Sequence, residues 1–229
     1  MPVVYTYPMN PRTSGLFLAI ITIACFVAGA LVYPHVPLTL ITHWDAAGRP
    51  NGSMGKAWAL FLLPAMLLVL DIVWYVLPKI DPLRKDFIGF RHVYDFFWIL
   101  LSAFLAYVYA LTLAINIGLS FNLLQALLPA IGVFIFCLGA LMPYVKRNWF
   151  FGIRTPWTLS SESNWDRTHR FGGKLFMLSG VIAILAGVAA PHLTIGAIIG
   201  LSVGADILAA LASIVYSYVV YHREERMLH

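Results

Sequence analysis

Six stretches of this chain are long and apolar enough to cross a membrane: 15–33, 57–77, 96–115, 123–141, 175–190 and 196–221. A hydrocarbon core of ~30 Å takes roughly 20 helical residues. Inside it every backbone N–H and C=O must find its partner within the protein, which a helix achieves by itself. The chain is therefore expected to be an all-α integral membrane protein with six transmembrane helices. The fifth run is the shortest, and a helix starting earlier, near Trp165, would lengthen it. Ala28-Gly29-Ala30 matches a signal-peptidase pattern, but the first run exceeds a usual signal core and only Arg12 charges its front, so it is read as a span. With 61% hydrophobic and 11% charged residues, the composition lies outside the soluble range. Cys25 and Cys137 both fall inside apolar runs and imply no disulfide framework.

Charge sets the expected orientation. Of the fifteen Lys and Arg residues, only Arg49 and Lys56 flank the loops on one side. The other thirteen lie in the N-terminus, the 78–95 loop, the 142–174 segment and the C-terminal tail. The positive-inside rule puts those four segments, and both termini, in the cytoplasm. The same clustering at span ends explains the net charge of +5 without nucleic acid as a partner.

The chain reads as a single membrane domain, 1–229, with two long connections: an extracytoplasmic loop, 34–56, and a cytoplasmic segment, 142–174. The outer loop is expected to start extended, because Pro34 and Pro37 oppose helix, and to turn through AAGRPNG, with Pro50 and Asn51-Gly52 as turn residues. In the 78–95 loop, Phe87, Phe90 and Tyr94 recur at helical spacing opposite Lys85 and Arg91, the pattern of an interfacial lead-in to the third span.

The inner segment, LMPYVKRNWFFGIRTPWTLSSESNWDRTHRFGGK, is the longest stretch that is not oily. Lys146 and Arg147 followed by Trp149, Phe150 and Phe151 have the composition of an interfacial anchor. Gly152 permits a sharp redirection, and Pro156 holds Thr155 extended. Ser160 is the expected N-cap of a short helix from about Ser161, with Glu162 in its first turn. That helix places Trp165 and His169 on one face, and Gly172-Gly173 then serves as a hinge into the fifth span.

Residues 143–176 resemble the signature of the SdpI family, bacterial immunity proteins against a secreted killing peptide. The loop VPLTLITHWDAAGRPNGSMGK resembles the small extracytoplasmic domain, of unknown function, that often precedes that signature. The resemblance implies a six-helix protein of a bacterial cytoplasmic membrane whose partners are the lipid bilayer and a secreted toxin peptide. For the family's founding member it also implies toxin-dependent capture of a cytoplasmic transcriptional repressor at the membrane. No cofactor is implied.

Three groups of residues carry candidate roles. Arg154, Thr155, Pro156, Trp157, Trp165, Thr168, His169 and Arg170 form an expected cytoplasmic docking surface of guanidinium and indole groups. The alternative puts the tryptophans in the headgroup belt and the arginines on lipid phosphates, and Arg147 is assigned to such anchoring. Asp71 and Asp206 lie mid-span, where an acid costs roughly 2.5–3.5 kcal/mol unless it faces the protein interior. They suit either a proton or ion pathway or interhelical hydrogen bonds. The GxxxGxxxG of Gly196, Gly200 and Gly204 reads as a close helix-packing face. On the outside, His43, Trp44 and Asp45 are loop candidates. No metal is expected; His35, His43, Asp45 and His192 are the residues that would ligate one.

The favoured reading is a non-enzymatic membrane immunity protein. The competing readings are a proton- or ion-coupled transporter using the aspartates, and a metal-dependent membrane hydrolase. No P-loop, dinucleotide or nucleophile motif supports another enzyme.

Overall fold

A computed structural model describes residues 11–227, with the backbone alone for 84–88 and 227. The elements in chain order are α1 (Pro11–Val32), β1 (Thr39–Trp44), β2 (Pro50–Gly55), α2 (Lys56–Ile80), α3 (Arg84–Asn116), α4 (Leu123–Leu141), α5 (Pro156–Ser160), α6 (Glu162–Val188) and α7 (Ile195–Met227). Six of the helices are long and apolar enough to span a membrane. They pack as two groups of three: α1, α2 and α3 against one another, and α6 between α4 and α7. The seam between the groups is α3 against α4.

Hydrogen bonds from side chains fix which loops share an end. At one end Asn116, on the last turn of α3, accepts from Ile41 N (2.9 Å) and donates to Ile41 O (2.9 Å), so its amide stands in for a further strand beside β1. At the other end Asp81, after α2, accepts from Trp149 N (3.2 Å) and from Leu83 N (2.6 Å).

The first of those ends carries an antiparallel β1–β2 hairpin. Its turn differs from the expected one. Asp45 closes it by accepting from Ala47 N (2.8 Å) and Arg49 N (2.9 Å), and Gly48 supplies the positive φ of 73°. Pro50, Asn51 and Gly52 belong to β2 instead. A short 3-10 turn, Tyr33–His35, precedes the hairpin where extended chain was expected, because Pro34 suits a helical first turn.

The α4–α6 contact is built on glycines spaced by seven. A Cβ on Gly132 would stand 2.6 Å from Gly180 O, and one on Gly180 2.6 Å from Gly132 O. Gly139 and Gly173 meet with the same reciprocity, each 2.6 Å from the other's carbonyl oxygen, and Gly187 abuts Pro129. Without side chains the two backbones touch, and dispersion replaces the hydrophobic drive that lipid cannot supply. Gly173 is thus a packing residue, as is Gly172 against Ser213, and neither hinges the chain: α6 runs unbroken through both. The GxxxGxxxG face of α7 goes the other way, because among the described residues nothing lies within 4 Å of a Cβ at Gly196, Gly200 or Gly204.

Phe90 and Tyr94 also depart from expectation. Both are buried, in a cluster with Leu18, Trp74, Val93 and Trp98, and α3 kinks at Phe90 to seat them. Phe87 and Lys85 lie outside the residues whose side chains are described.

Candidate functional site

The segment from Tyr144 to Phe176 is pinned at every turn by named side chains. Asn148, wholly buried, accepts from Phe150 N (2.8 Å) and Phe151 N (2.7 Å) and donates to Lys146 O (2.9 Å) and Phe151 O (3.3 Å). The bend this makes drives Phe151 into the α1–α3 group, edge-on to Tyr94, Phe97 and Trp98 at centroid distances of 5.3, 5.2 and 6.2 Å.

Gly152 follows with φ +93°, and a Cβ there would collide with His169 Nε2. The imidazole can therefore reach the next amide: Ile153 N donates to His169 Nε2 at 3.0 Å. His169 Nδ1 lies 2.8 Å from Trp165 O, a carbonyl that can only accept. The two bonds together fix the neutral ring with its proton on Nδ1. Trp165 stacks on that ring at 4.1 Å and donates from Nε1 to Val145 O (2.8 Å), so one indole–imidazole pair ties α6 to both arms of the bend.

Thr155 then caps α5 through a capping box with Thr158, whose Oγ1 donates to Ile153 O (2.8 Å). Thr155 Oγ1 meets Ser217 Oγ at 3.2 Å, and Asn164 Nδ2 donates to Ser217 O at 2.9 Å, so α7 is bound into the same lock. Thr168 completes it by donating to Asn164 Oδ1 (2.9 Å). Lower on α7, Glu224 accepts from Ser161 Oγ (3.0 Å) and Ser163 Oγ (2.7 Å). Ser161, one residue beyond the expected Ser160, is the N-cap of α6, because Ser160 is still inside α5.

The expected docking residues thus divide. Thr155, Trp165, Thr168 and His169 are buried and offer no surface to a partner or to lipid headgroups. Arg154, Pro156 and Arg170 are exposed, and Trp157 is half-buried edge-on to Tyr218. Arg154 Nη1 donates to Trp149 O (2.6 Å). Arg147, expected as a lipid anchor, is turned inward: its Nη1 donates to Leu159 O (3.1 Å) at the end of α5 and its Nε is buried.

The mid-span acids are in different helix groups. Asp71 accepts from Thr22 Oγ1 (2.7 Å), while Asp206 lies on α7 with a buried Oδ1 that has no partner among the described residues. A third acid lies outside the apolar runs. Asp95, fully buried on α3, accepts from Trp74 Nε1 (2.8 Å), Arg91 Nε (2.8 Å) and Ser14 Oγ (3.1 Å), joining three helices. The i,i+4 spacing of Arg91 and Asp95 was its visible signal.

At the hairpin end, His43 bonds to Thr42 Oγ1 (2.9 Å), and the Asp45 carboxylate is engaged by Arg49 Nε (3.0 Å). The amide of Arg49, above all, holds the Asp45 carboxyl below its usual range. Trp44 lies on β1, and His35 and His192 sit in short 3-10 turns. Among the described residues, no three His, Cys, Asp or Glu side chains converge as metal ligands. The exposed groups of the locked segment include the Arg154 and Arg170 guanidinium groups and part of the Trp157 indole.

These features define a multi-pass helical membrane protein whose longest polar segment is folded into a rigid lock between two helix groups. Residues 144–217 match the SdpI/YfhL protein family, and residues 20–68 match DUF1648, a domain of unknown function. The chain thus carries a stretch similar to the SdpI family, which takes in the locked segment and α6. It is 25% identical to Immunity protein SdpI of Bacillus subtilis (strain 168) over 213 residues, which cover 91% of this chain and 94% of that relative. No solved structure matches it.

Proposed function

We propose that this protein sits in a bacterial cytoplasmic membrane and protects its cell from a secreted antimicrobial peptide, without catalysing a reaction. The observation that carries the reading is the near full-length likeness to an immunity protein, which takes in both the hairpin end and the locked segment. The charge bias along the chain supports cytoplasmic termini, with the locked segment inside and the hairpin facing the source of the peptide.

A signalling role belongs to the cytoplasmic surface. Arg154, Pro156, Arg170 and the free edge of Trp157 form the part of the segment that a repressor would read. Beneath them Thr155, Trp165, Thr168 and His169 hold that surface in shape rather than touch the partner. Rigid support of this kind lowers the ordering cost of docking.

The test is expression in a peptide-sensitive strain challenged with candidate killing peptides. Survival above that of vector-bearing cells at equal growth is the expected result. Killing unchanged by membrane-inserted protein, for every peptide tried, contradicts the reading.

A further inference from the structure

A half-open cavity of about 320 Å³ lies on the seam between the two helix groups, under the locked segment. Phe90, Val93 and Phe97 of α3 form one wall, Leu138 of α4 and Phe176 of α6 the other, and Phe151 closes the top. Phe90 to Phe97 is two turns of helix, so the cavity reaches about 10 Å down from the loop.

Two observations say what fills it. Walls of this kind give water too few hydrogen-bond partners to hold it, and at that depth in a membrane the abundant apolar molecule is a lipid chain. Its mouth is also cationic. Lys146 follows the lining residue Val145 and runs alongside Gly89, its Cγ 3.9 Å from where a Cβ would stand. The Lys146 side chain is exposed and is in no ion pair among the described residues.

We infer that the cavity binds one acyl chain of an anionic phospholipid, with the headgroup phosphate held by Lys146. Moving a chain from bilayer to cavity exchanges one apolar environment for another. The hydrophobic gain is therefore small, and headgroup charge sets the preference among lipids. A bound chain also packs against Phe151, so the lipid braces the bend that ends at Gly152 and His169. The inference requires a membrane and a basic end, and does not depend on immunity.

The experiment is native mass spectrometry of the full chain in detergent, with phosphatidylglycerol or phosphatidylcholine added at equal concentration. Wild type should retain one phosphatidylglycerol and several-fold less phosphatidylcholine. Leu138→Trp and Val93→Phe, two independent ways of filling the space, should lose it. Lys146→Glu should weaken retention several-fold with the cavity intact. Thermal melts in detergent alone identify any variant that fails to fold, and the other filling variant then decides. Equal retention of the two lipids would overturn the headgroup assignment. Phosphatidylglycerol held equally by wild type and the folded filling variant would place it on the outer surface. Retention of neither lipid, with an added apolar peptide bound instead, would make the cavity a peptide site. Each of these outcomes contradicts the inference.

Discussion

Arg147 and Arg154 belong to one segment and look alike in sequence, yet their guanidinium groups do opposite things. Arg147 reaches the carbonyl that ends α5 and has its Nε buried, whereas Arg154 lies on the surface against Trp149 O. Lysine at 147 is shorter and more strongly hydrated and would lose the bond to Leu159 O, so Arg147→Lys should cost about 1 kcal/mol of stability. Arg154→Lys should stay within about 0.5 kcal/mol, as surface changes do. If a partner carboxylate reads Arg154, that same swap lowers signalling at matched membrane levels while the melt is unchanged. Paired thermal melts check the first part, and equal melting temperatures would remove the internal role of Arg147. This contrast was not legible in the sequence, because it depends on where residue 159 lies relative to residue 147. The Trp165–His169 pair was legible, since four residues on a helix set a shared face. Asn148 was not: its amide works on backbone two and three residues away in a bend that no periodicity announces.

At the scale of elements, the glycines separate a tight helix contact from an open face. Gly139→Ala would put a methyl 2.5 Å from Met177 N, where only backbone can give way. It should destabilise the protein by about 1–3 kcal/mol, the usual cost of overpacking. Gly200→Ala meets nothing within 4 Å among the described residues and should be near neutral. Denaturation of both variants in the same detergent tests the pair, and equal losses would mean that the α4–α6 contact is not the tight one. The apolar runs made the helices readable, because lipid leaves the backbone little choice. Their partners were harder to read. Small-residue spacing is present on α4, α6 and α7 alike, and the spacing alone does not say which face meets another helix.

The hairpin makes a pH prediction of its own. Asp45 is held below its ordinary range chiefly by the Arg49 amide, so its contribution is full above the unfolded value, roughly 3.9, and is lost as pH falls through the folded value. Amide exchange at Ala47 and Arg49 should therefore be slow relative to the unprotected chain at neutral pH and lose protection in acid below about pH 4. Asp45→Asn should abolish that acid transition. An unchanged transition in the variant would assign it to another group.

For the whole molecule, loop sidedness and charge give one picture. The hairpin and the α3–α4 connection share an end through Asn116 and Ile41, while the α2–α3 turn and the locked segment share the other through Asp81 and Trp149. Reporter fusions after His229 and after Gly118 should report cytoplasmic and external positions respectively, as the Lys and Arg distribution requires. Reversed readings would turn the assignment of faces over. The bundle was legible from hydropathy, but its division into two groups of three was not. That division comes from packing detail, namely glycine contacts in one group and an aromatic cluster with Asp95 in the other.

Protection is proposed to need the locked segment in its present shape, and Gly152 is the residue that admits no side chain. Its positive φ alone disfavours alanine by about 1–2 kcal/mol, and the added methyl would push His169 off the Ile153 amide. The most direct measurement is survival of peptide-challenged sensitive cells expressing wild type, Gly152→Ala or Gly200→Ala at matched membrane levels. Wild type and Gly200→Ala should protect, and Gly152→Ala should not. Full protection by Gly152→Ala, or none by wild type, would contradict the account.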